Sequence, residues 1–186
     1  MDIRELFSQD DDLMTIFRII EQLDLKDSWL AAGTLRNYIW NVLSGKPGLS
    51  DTSDLDVVFY DPEVTYEETL ALQNQLQLRY PNYQWEVKNQ VLMHIHSPHT
   101  KPYQSATDAI SKYPERCTAI AARLKDEHLE VFLPYGAADI FDFVVQPTPH
   151  FLADSERMEV YHKRQQKKNW QKKWPRLQIM DERIRM

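Results

Sequence analysis

Residues 53–61 read SDLDVVFYD and place Asp54 and Asp56 at the head of an apolar run, with Asp61 closing it. On an extended strand, residues two apart share a face. The two carboxylates therefore point one way, while Leu55, Val57 and Phe59 point toward a core. Carboxylates about 4 Å apart repel by roughly 4 kcal/mol at an effective dielectric of about 20, so a cation between them is the natural answer. An oxygen-only donor set of this kind suits Mg²⁺ or Mn²⁺, and Mg²⁺ is commonly held by one or two carboxylates together with substrate phosphates. The plain alternative is a solvated turn at a strand edge.

A second feature lies upstream, in AAGTLRNYIWNVLSG. It sets Gly33, Thr34 and Arg36 at the start of a predicted helix, where free backbone N–H groups and the helix dipole attract phosphate. Gly33 allows close approach to the backbone, Thr34 offers a hydroxyl, and Arg36 offers a fork for phosphate oxygens. Thr34 is also the expected N-cap of that helix. Either feature alone is ordinary. A phosphate cradle followed 21 positions later by a carboxylate pair is a more specific combination.

The elements that must position these residues follow from hydrophobic period. Leu13, Ile16, Phe17, Ile20 and Leu23 recur at helical spacing behind Asp10, Asp11 and Asp12, which favour a helix N-terminus. Leu35, Ile39 and Val42 share one side of the helix after Gly33. The segment 44–53 is a Gly-, Pro- and Ser-rich loop. Thr65 and Glu68 have capping-box spacing ahead of a helix carrying Leu72, Leu76 and Tyr80, which Pro81 ends.

From residue 83 the period becomes two. Tyr83, Trp85 and Val87 alternate with Gln84, Glu86 and Lys88, and a further strand is expected over 91–96. CTAIAARL and LEVFLPYG flank the polar KDEH as a predicted hairpin. A strand or short turn around DIFDFVV precedes Pro147 and Pro149, and a polar helix with a Trp-rich tail follows Asp154. This alternation predicts an α+β (mixed α/β) class, with a small mixed sheet flanked by helices.

The combination AGTLRN and SDLDVVF resembles the nucleotidyltransferase superfamily typified by DNA polymerase beta and the CCA-adding enzymes. It is similar in more detail to a bacterial family of nucleotidyltransferase-like proteins, whose pattern continues through VKNQVLMHIH, LPYGAADIFDFVVQPTP and WQKKWPRL. The resemblance implies a nucleotidyltransferase-like fold, with Asp54 and Asp56 as metal ligands and Gly33 and Thr34 holding nucleotide phosphates. Ala32-Gly33-Thr34 stands where the superfamily usually has Gly-Gly or Gly-Ser, and the loop before Asp54 is longer than in many members. Many members also use a third carboxylate from a neighbouring strand, which helps deprotonate the attacking hydroxyl and joins the two aspartates as a metal ligand. Glu86 is the candidate for it, because alternation sets it opposite core-facing Trp85 and Val87. Lys88 shares its face and joins Gly33, Thr34 and Arg36 in the nucleotide-binding set. Glu130 and Asp142 are rival third acids.

Two other stretches admit a chemical reading and a plain one. His94, His96 and His99 in HIHSPH form a candidate Zn²⁺ site, although ordinary hydrogen-bonded histidines are the commoner outcome and no fourth ligand is near in sequence. Asn89 and His94 are instead expected near the acceptor or base pocket. In the segment 155–186, ten Lys or Arg face four acids, a local +6 that leaves −12 for the rest of a chain whose net charge is −6. Its bases interleave with Trp170 and Trp174, a composition suited to RNA but equally to a helix whose tryptophans pack on the core, and packing is the expectation.

With 28 acids against 22 bases, the surface as a whole does not suit non-specific coating of nucleic acid. The lone Cys117 cannot form an internal disulfide, the N-terminus lacks a signal-peptide core, and no apolar run reaches membrane length. The expectation is one cytoplasmic domain over 1–186, with no membrane partner. Its implied activity is Mg²⁺- or Mn²⁺-dependent transfer of a nucleoside monophosphate from a nucleoside triphosphate to an acceptor hydroxyl. The acceptor class, whether small molecule, protein or RNA, stays open. The alternatives are an inactive nucleotide- or partner-binding module and an RNA-binding protein using the basic segment.

Overall fold

The computed structural model describes residues 2–50 and 53–181. Residues 51–52 of the expected loop and 182–186 of the basic segment lie outside the described residues. Helices α1 (Ile3–Ser8) and α2 (Asp11–Gln22) open the chain, capped by the Asp2 and Asp10 side chains. The hydrophobic period predicted only the second. Strand β1 (Trp29–Ala31) leads into α3 (Gly33–Leu43), and β2 (Asp54–Phe59) carries the two aspartates. The expected capping box of Thr65 and Glu68 starts α4 (Tyr66–Arg79), which returns the chain to β3 (Gln84–Asn89).

The expected strand over 91–96 is instead a 3₁₀ helix, Gln90–His96. Asn89 redirects the chain: its amide donates to the carbonyls of Asp61 and Val64, and its oxygen accepts from Val91 N at 3.4 Å. The apolar Leu92 and Ile95, three apart and so neighbours on a 3₁₀ turn, end up largely exposed.

After α5 (Ala106–Ser111), the predicted hairpin forms from β4 (Ala121–Lys125) and β5 (His128–Phe132). Its two turn residues, Asp126 and Glu127, have φ of 50° and 66°, the left-handed pair that matches the twist of a two-residue hairpin loop. The segment DIFDFVV divides into α6 (Ala138–Phe141) and β6 (Val144–Val145). A short α7 (Pro149–Leu152), the polar α8 (Ser155–Lys168) and β7 (Gln178–Ile179) complete the described chain.

Five strands form one sheet in the order β3-β2-β1-β4-β5. Only β2 and β3 run parallel, joined by the α4 crossover; β1 is antiparallel to both β2 and β4. A separate pair joins β6 and β7 in parallel. The result is a mixed sheet with helices packed on it, the predicted α+β class. Leu55, Val57 and Phe59 of β2 are buried, as are Trp85 and Val87 of β3, so the alternating face lies where the sequence put it. Leu35 and Ile39 of α3 join the same core, with Val42 partly buried against it. Trp40 packs against Trp170 and Trp174 at ring-centroid distances of 5.8 and 5.1 Å, which ties the tail to α3. Among the described residues, no helix is long and apolar enough to cross a membrane.

Candidate nucleotidyl-transfer site

The parallel register of β2 and β3 brings the acids together. Asp56 lies opposite Glu86, and Asp54 opposite Gln84. The carboxyl groups of Asp56 and Glu86 hydrogen-bond to one another. Burial comes first in raising Asp56, to about 7, with the Glu86 hydrogen bond and charge adding to it. Asp54 is also raised, by burial and then by Glu86. Carboxyl groups crowded in this way, with Asp56 raised by burial and by its neighbour, make a site short of positive charge, which is the condition a divalent cation relieves.

The start of α3 abuts this pair. Thr34 is not the N-cap: that position is Ala32, at φ 54° and ψ −124°, with no capping side chain. The Thr34 hydroxyl instead donates to the Asp54 carbonyl at 2.9 Å and accepts from Asp56 N at 2.7 Å. It therefore fixes β2 on both sides of Leu55, and its hydrogen-bonding capacity is engaged there. Gly33 has a steric reason to lack a side chain, because a Cβ there would lie 3.2 Å from Asp56 Oδ2 and 3.3 Å from Arg36 Nη2.

Arg36 is buried rather than presented on an open helix face. Its Nη1 donates to Thr118 Oγ1 at 2.7 Å and its Nε to Asn37 Oδ1 at 3.1 Å, while its guanidinium lies 4.1 Å from the Trp170 ring centre. The Thr118 hydroxyl in turn donates to Glu115, a fully buried acid that also accepts from Arg164 Nε at 2.9 Å and Nη2 at 2.8 Å. Burial pushes Glu115 up, but Arg164 and then Arg36 hold it below its ordinary value.

Two cavities meet at the acids. One of about 420 Å³ is lined by Asp56, Glu86, Lys88, Gln90, His96, Tyr103, Tyr113, Arg164 and Lys168, among others. The other, of about 710 Å³, runs along α3 past Thr34, Asn37, Lys46, Ser50, Ser53 and Asp54 to Lys168, Trp170 and Lys173. Gly33, Arg36, Asp56, Glu86 and Lys168 line both. The acids thus stand between two chambers of small-molecule size.

Of the residues singled out by sequence, Gly33, Thr34, Arg36, Asp54, Asp56, Glu86 and Lys88 all line one or both chambers. Glu130 pairs with Arg123 on the hairpin at 2.9 Å, and Asp142 is an exposed residue at the end of α6; neither is among the lining residues. Asn89 shapes the β3 exit instead of facing a chamber. The histidines do not gather: His99 pairs with Asp154 at 2.7 Å, His94 stands edge-on to Tyr103, and His96 lines the smaller chamber. Among the described residues, no group of three or more His, Cys, Asp or Glu is placed to hold a metal ion by itself. Two carboxylates completed by substrate phosphates remain the donor set that fits Mg²⁺ here.

Sequence reasoning missed Glu115, Thr118, Arg164, Lys168 and Lys173. Val160, Arg164 and Lys168 recur at i, i+4 and i+8 along α8, a signal present in the sequence but hidden among bases on every face. Glu115 carries no such pattern.

No curated protein matches the sequence. A solved structure described as an NMR structure revealing a CCA-adding enzyme head domain is 55% identical, covers 96% of this chain and 94% of that one, and superposes with a TM-score of 0.90. A CCA-adding enzyme in complex with CTP is 13% identical with a TM-score of 0.55; the match covers 97% of this chain but 43% of that one, and speaks to fold alone. The nucleotidyltransferase family model matches residues 18–179, a span that holds both aspartates, Glu86 and the start of α3. With that span matched and the acids in register at its centre, the chain belongs to this nucleotidyltransferase family.

Proposed function

We propose that the protein moves a nucleoside monophosphate from a nucleoside triphosphate to an acceptor hydroxyl, in a reaction that depends on Mg²⁺. The observation that carries this reading is the Asp56–Glu86 carboxyl pair beside Asp54, standing between two chambers at the head of α3. Bound Mg²⁺ would supply charge neutralisation on the phosphates.

The remaining chemistry belongs to the chain. Asp54 and Asp56 would hold the metal beside the donor phosphates. The Gly33 backbone and Lys88 face the phosphates, and Thr34 keeps the β2 backbone in register. Glu86 takes the acceptor's proton as the acceptor oxygen bonds to the α-phosphorus. The bond from the α-phosphorus to the bridging oxygen then breaks, and pyrophosphate leaves. Membership of the nucleotidyltransferase family supports a nucleoside triphosphate donor, and CTP is the first to try because a CCA-adding enzyme of the same fold is described in complex with it.

Thermal unfolding with Mg²⁺ and each nucleoside triphosphate tests the donor, since a ligand held only by the folded state raises its melting temperature. Pyrophosphate release with an acceptor pool drawn from cell extract tests turnover. Glu86→Gln should lower that release by about 10²- to 10⁴-fold while changing nucleotide affinity much less. A protein that binds nucleotide and Mg²⁺ yet releases no pyrophosphate would be a binding module instead.

A further inference from the structure

Helix α4 covers the outer edge of β3 with one face and leaves the other in solvent. Leu72 and Leu76 turn toward the core. Gln73 and Gln77, four apart, lie along the strand: Gln73 Oε1 accepts from Val87 N at 2.9 Å, while the Gln77 amide accepts from Trp85 N at 3.2 Å and donates to the Tyr83 carbonyl at 2.8 Å. β3 is the last strand on that side of the sheet, and with these backbone groups engaged it is closed to an added strand. The outward face of α4 is of another kind. From Thr69 to Leu78, ten consecutive residues have no ionisable side chain, in a chain of which 27% is charged. Leu70, Asn74 and Leu78 recur at four-residue spacing on this face, Leu78 at 83% exposure and Leu70 at 39%, with Tyr66 one turn earlier at 70%. Helix α8, also of 14 residues, turns Glu159, Lys163 and Lys167 to solvent in the manner of a face that stays wet. Apolar side chains gathered on one exposed face mark a contact surface.

A neutral leucine face offers nothing to the phosphates of a nucleic acid. It does fit itself. A contact between two copies about a twofold axis must be self-complementary, and antiparallel packing centred on Asn74 sets Leu70 of one copy against Leu78 of the other, twice. The same packing brings the two Asn74 amides together, each with a donor and an acceptor to exchange. The flanking charges agree with this direction. Glu67 is exposed near the start of α4 and Arg79 at its end, so antiparallel packing joins opposite signs and opposed helix dipoles, whereas parallel packing would set Glu67 against its own copy. We infer that α4 is the contact of a homodimer in which two copies pack helix on helix, antiparallel, through Leu70, Asn74 and Leu78. A helix of 14 residues is about 21 Å long. One such pair buries less than the roughly 1,600 Å² of a standard interface, so the dimer is weak and forms in the micromolar range. This contact is independent of the nucleotidyl-transfer reading.

Sedimentation velocity over a series from about 1 μM to about 1 mM tests the contact, and the wild type should pass from monomer to dimer within it. Leu78 stands in solvent, so Leu78→Glu leaves the fold intact and should weaken association by at least about 100-fold, because each substitution counts twice across the axis. Leu70→Lys should do the same, and melting temperature establishes that each variant is folded. The double variant Leu70→Lys with Leu78→Glu should regain the dimer, since antiparallel packing sets each introduced lysine against an introduced glutamate of the other copy. A wild type that stays monomeric to the top of the series leaves this face to a different protein and overturns the second copy as its occupant. A dimer that Leu78→Glu leaves intact would overturn α4 as the contact. Single variants that dissociate with no recovery in the double variant would overturn the antiparallel arrangement.

Discussion

Replacing Asp56 by Asn should stabilise the metal-free protein at alkaline pH. Burial and Glu86 raise the Asp56 carboxyl from its ordinary 3.8 to about 7. The native state therefore binds this proton more tightly than the unfolded chain does. The associated stability is fully present below the ordinary carboxylate value, and it is lost as pH rises toward neutrality. The full step corresponds to about 4 kcal/mol, at about 1.4 kcal/mol per tenfold in proton affinity. Water reaching the half-buried group reduces this to about 2 to 4 kcal/mol. Asn cannot ionise, and its amide can keep a donor toward Glu86, so Asp56→Asn mimics the protonated state at every pH. Urea unfolding with chelator present should show the variant more stable by that amount near pH 8, with the gap closing by about pH 4. Mg²⁺ and CTP should reverse the order. At a hundredfold excess over Kd they add about 2.7 kcal/mol to the wild type and little to the variant. A metal-free wild type that gains stability over Asp56→Asn as pH rises would refute the reasoning, as would a variant stabilised equally by Mg²⁺ and CTP.

Thr34→Val keeps the shape but leaves Asp56 N and the Asp54 carbonyl without their partner, so it should cost about 2 kcal/mol in urea unfolding, with Thr34→Ser recovering most of it. Ala32 holds φ 54° and ψ −124°, a strain of about 1 to 3 kcal/mol against about 0.4 to 1 kcal/mol of added chain entropy for glycine; Ala32→Gly should therefore raise stability by about 1 kcal/mol. Trp174→Ala removes a buried ring whose Nε1 donates to Asn41, and a loss of about 3 to 5 kcal/mol should appear as a lowered urea midpoint.

What the sequence made legible was whatever a period of two or 3.6 encodes. Asp54, Asp56 and Glu86 were recoverable because alternation fixes the side-chain face of a strand, and parallel pairing of β2 with β3 then aligns the acids. The hairpin and the Thr65 capping box were legible because their chemistry is local. The residues 91–96 misled because the strand period of 83–88 was carried on past them, yet the chain had already been turned by Asn89, whose partners lie 25 and 28 positions back. Thr34 misled for a related reason. A threonine at a helix start ordinarily caps it, but the partners of this hydroxyl stand 20 and 22 positions downstream on β2. Glu115 was invisible because its meaning depends on Arg164, 49 positions away.

The basic segment shows why packing and chemistry need not be rival readings of one stretch. Trp170 and Trp174 are buried against Trp40, as the packing expectation holds. That anchoring requires α8 to stop, and it stops at Asn169, left-handed at φ 48°. The break sets Lys168 on the last helical turn and Lys173 between the two rings, both lining the larger chamber, while Lys46 donates to the Lys173 carbonyl across it. The same Trp170 ring lies beside Arg36 and Arg164. The apolar contacts that hold the tail therefore determine where its charges point, and loss of either tryptophan should disturb the larger chamber as well as the core.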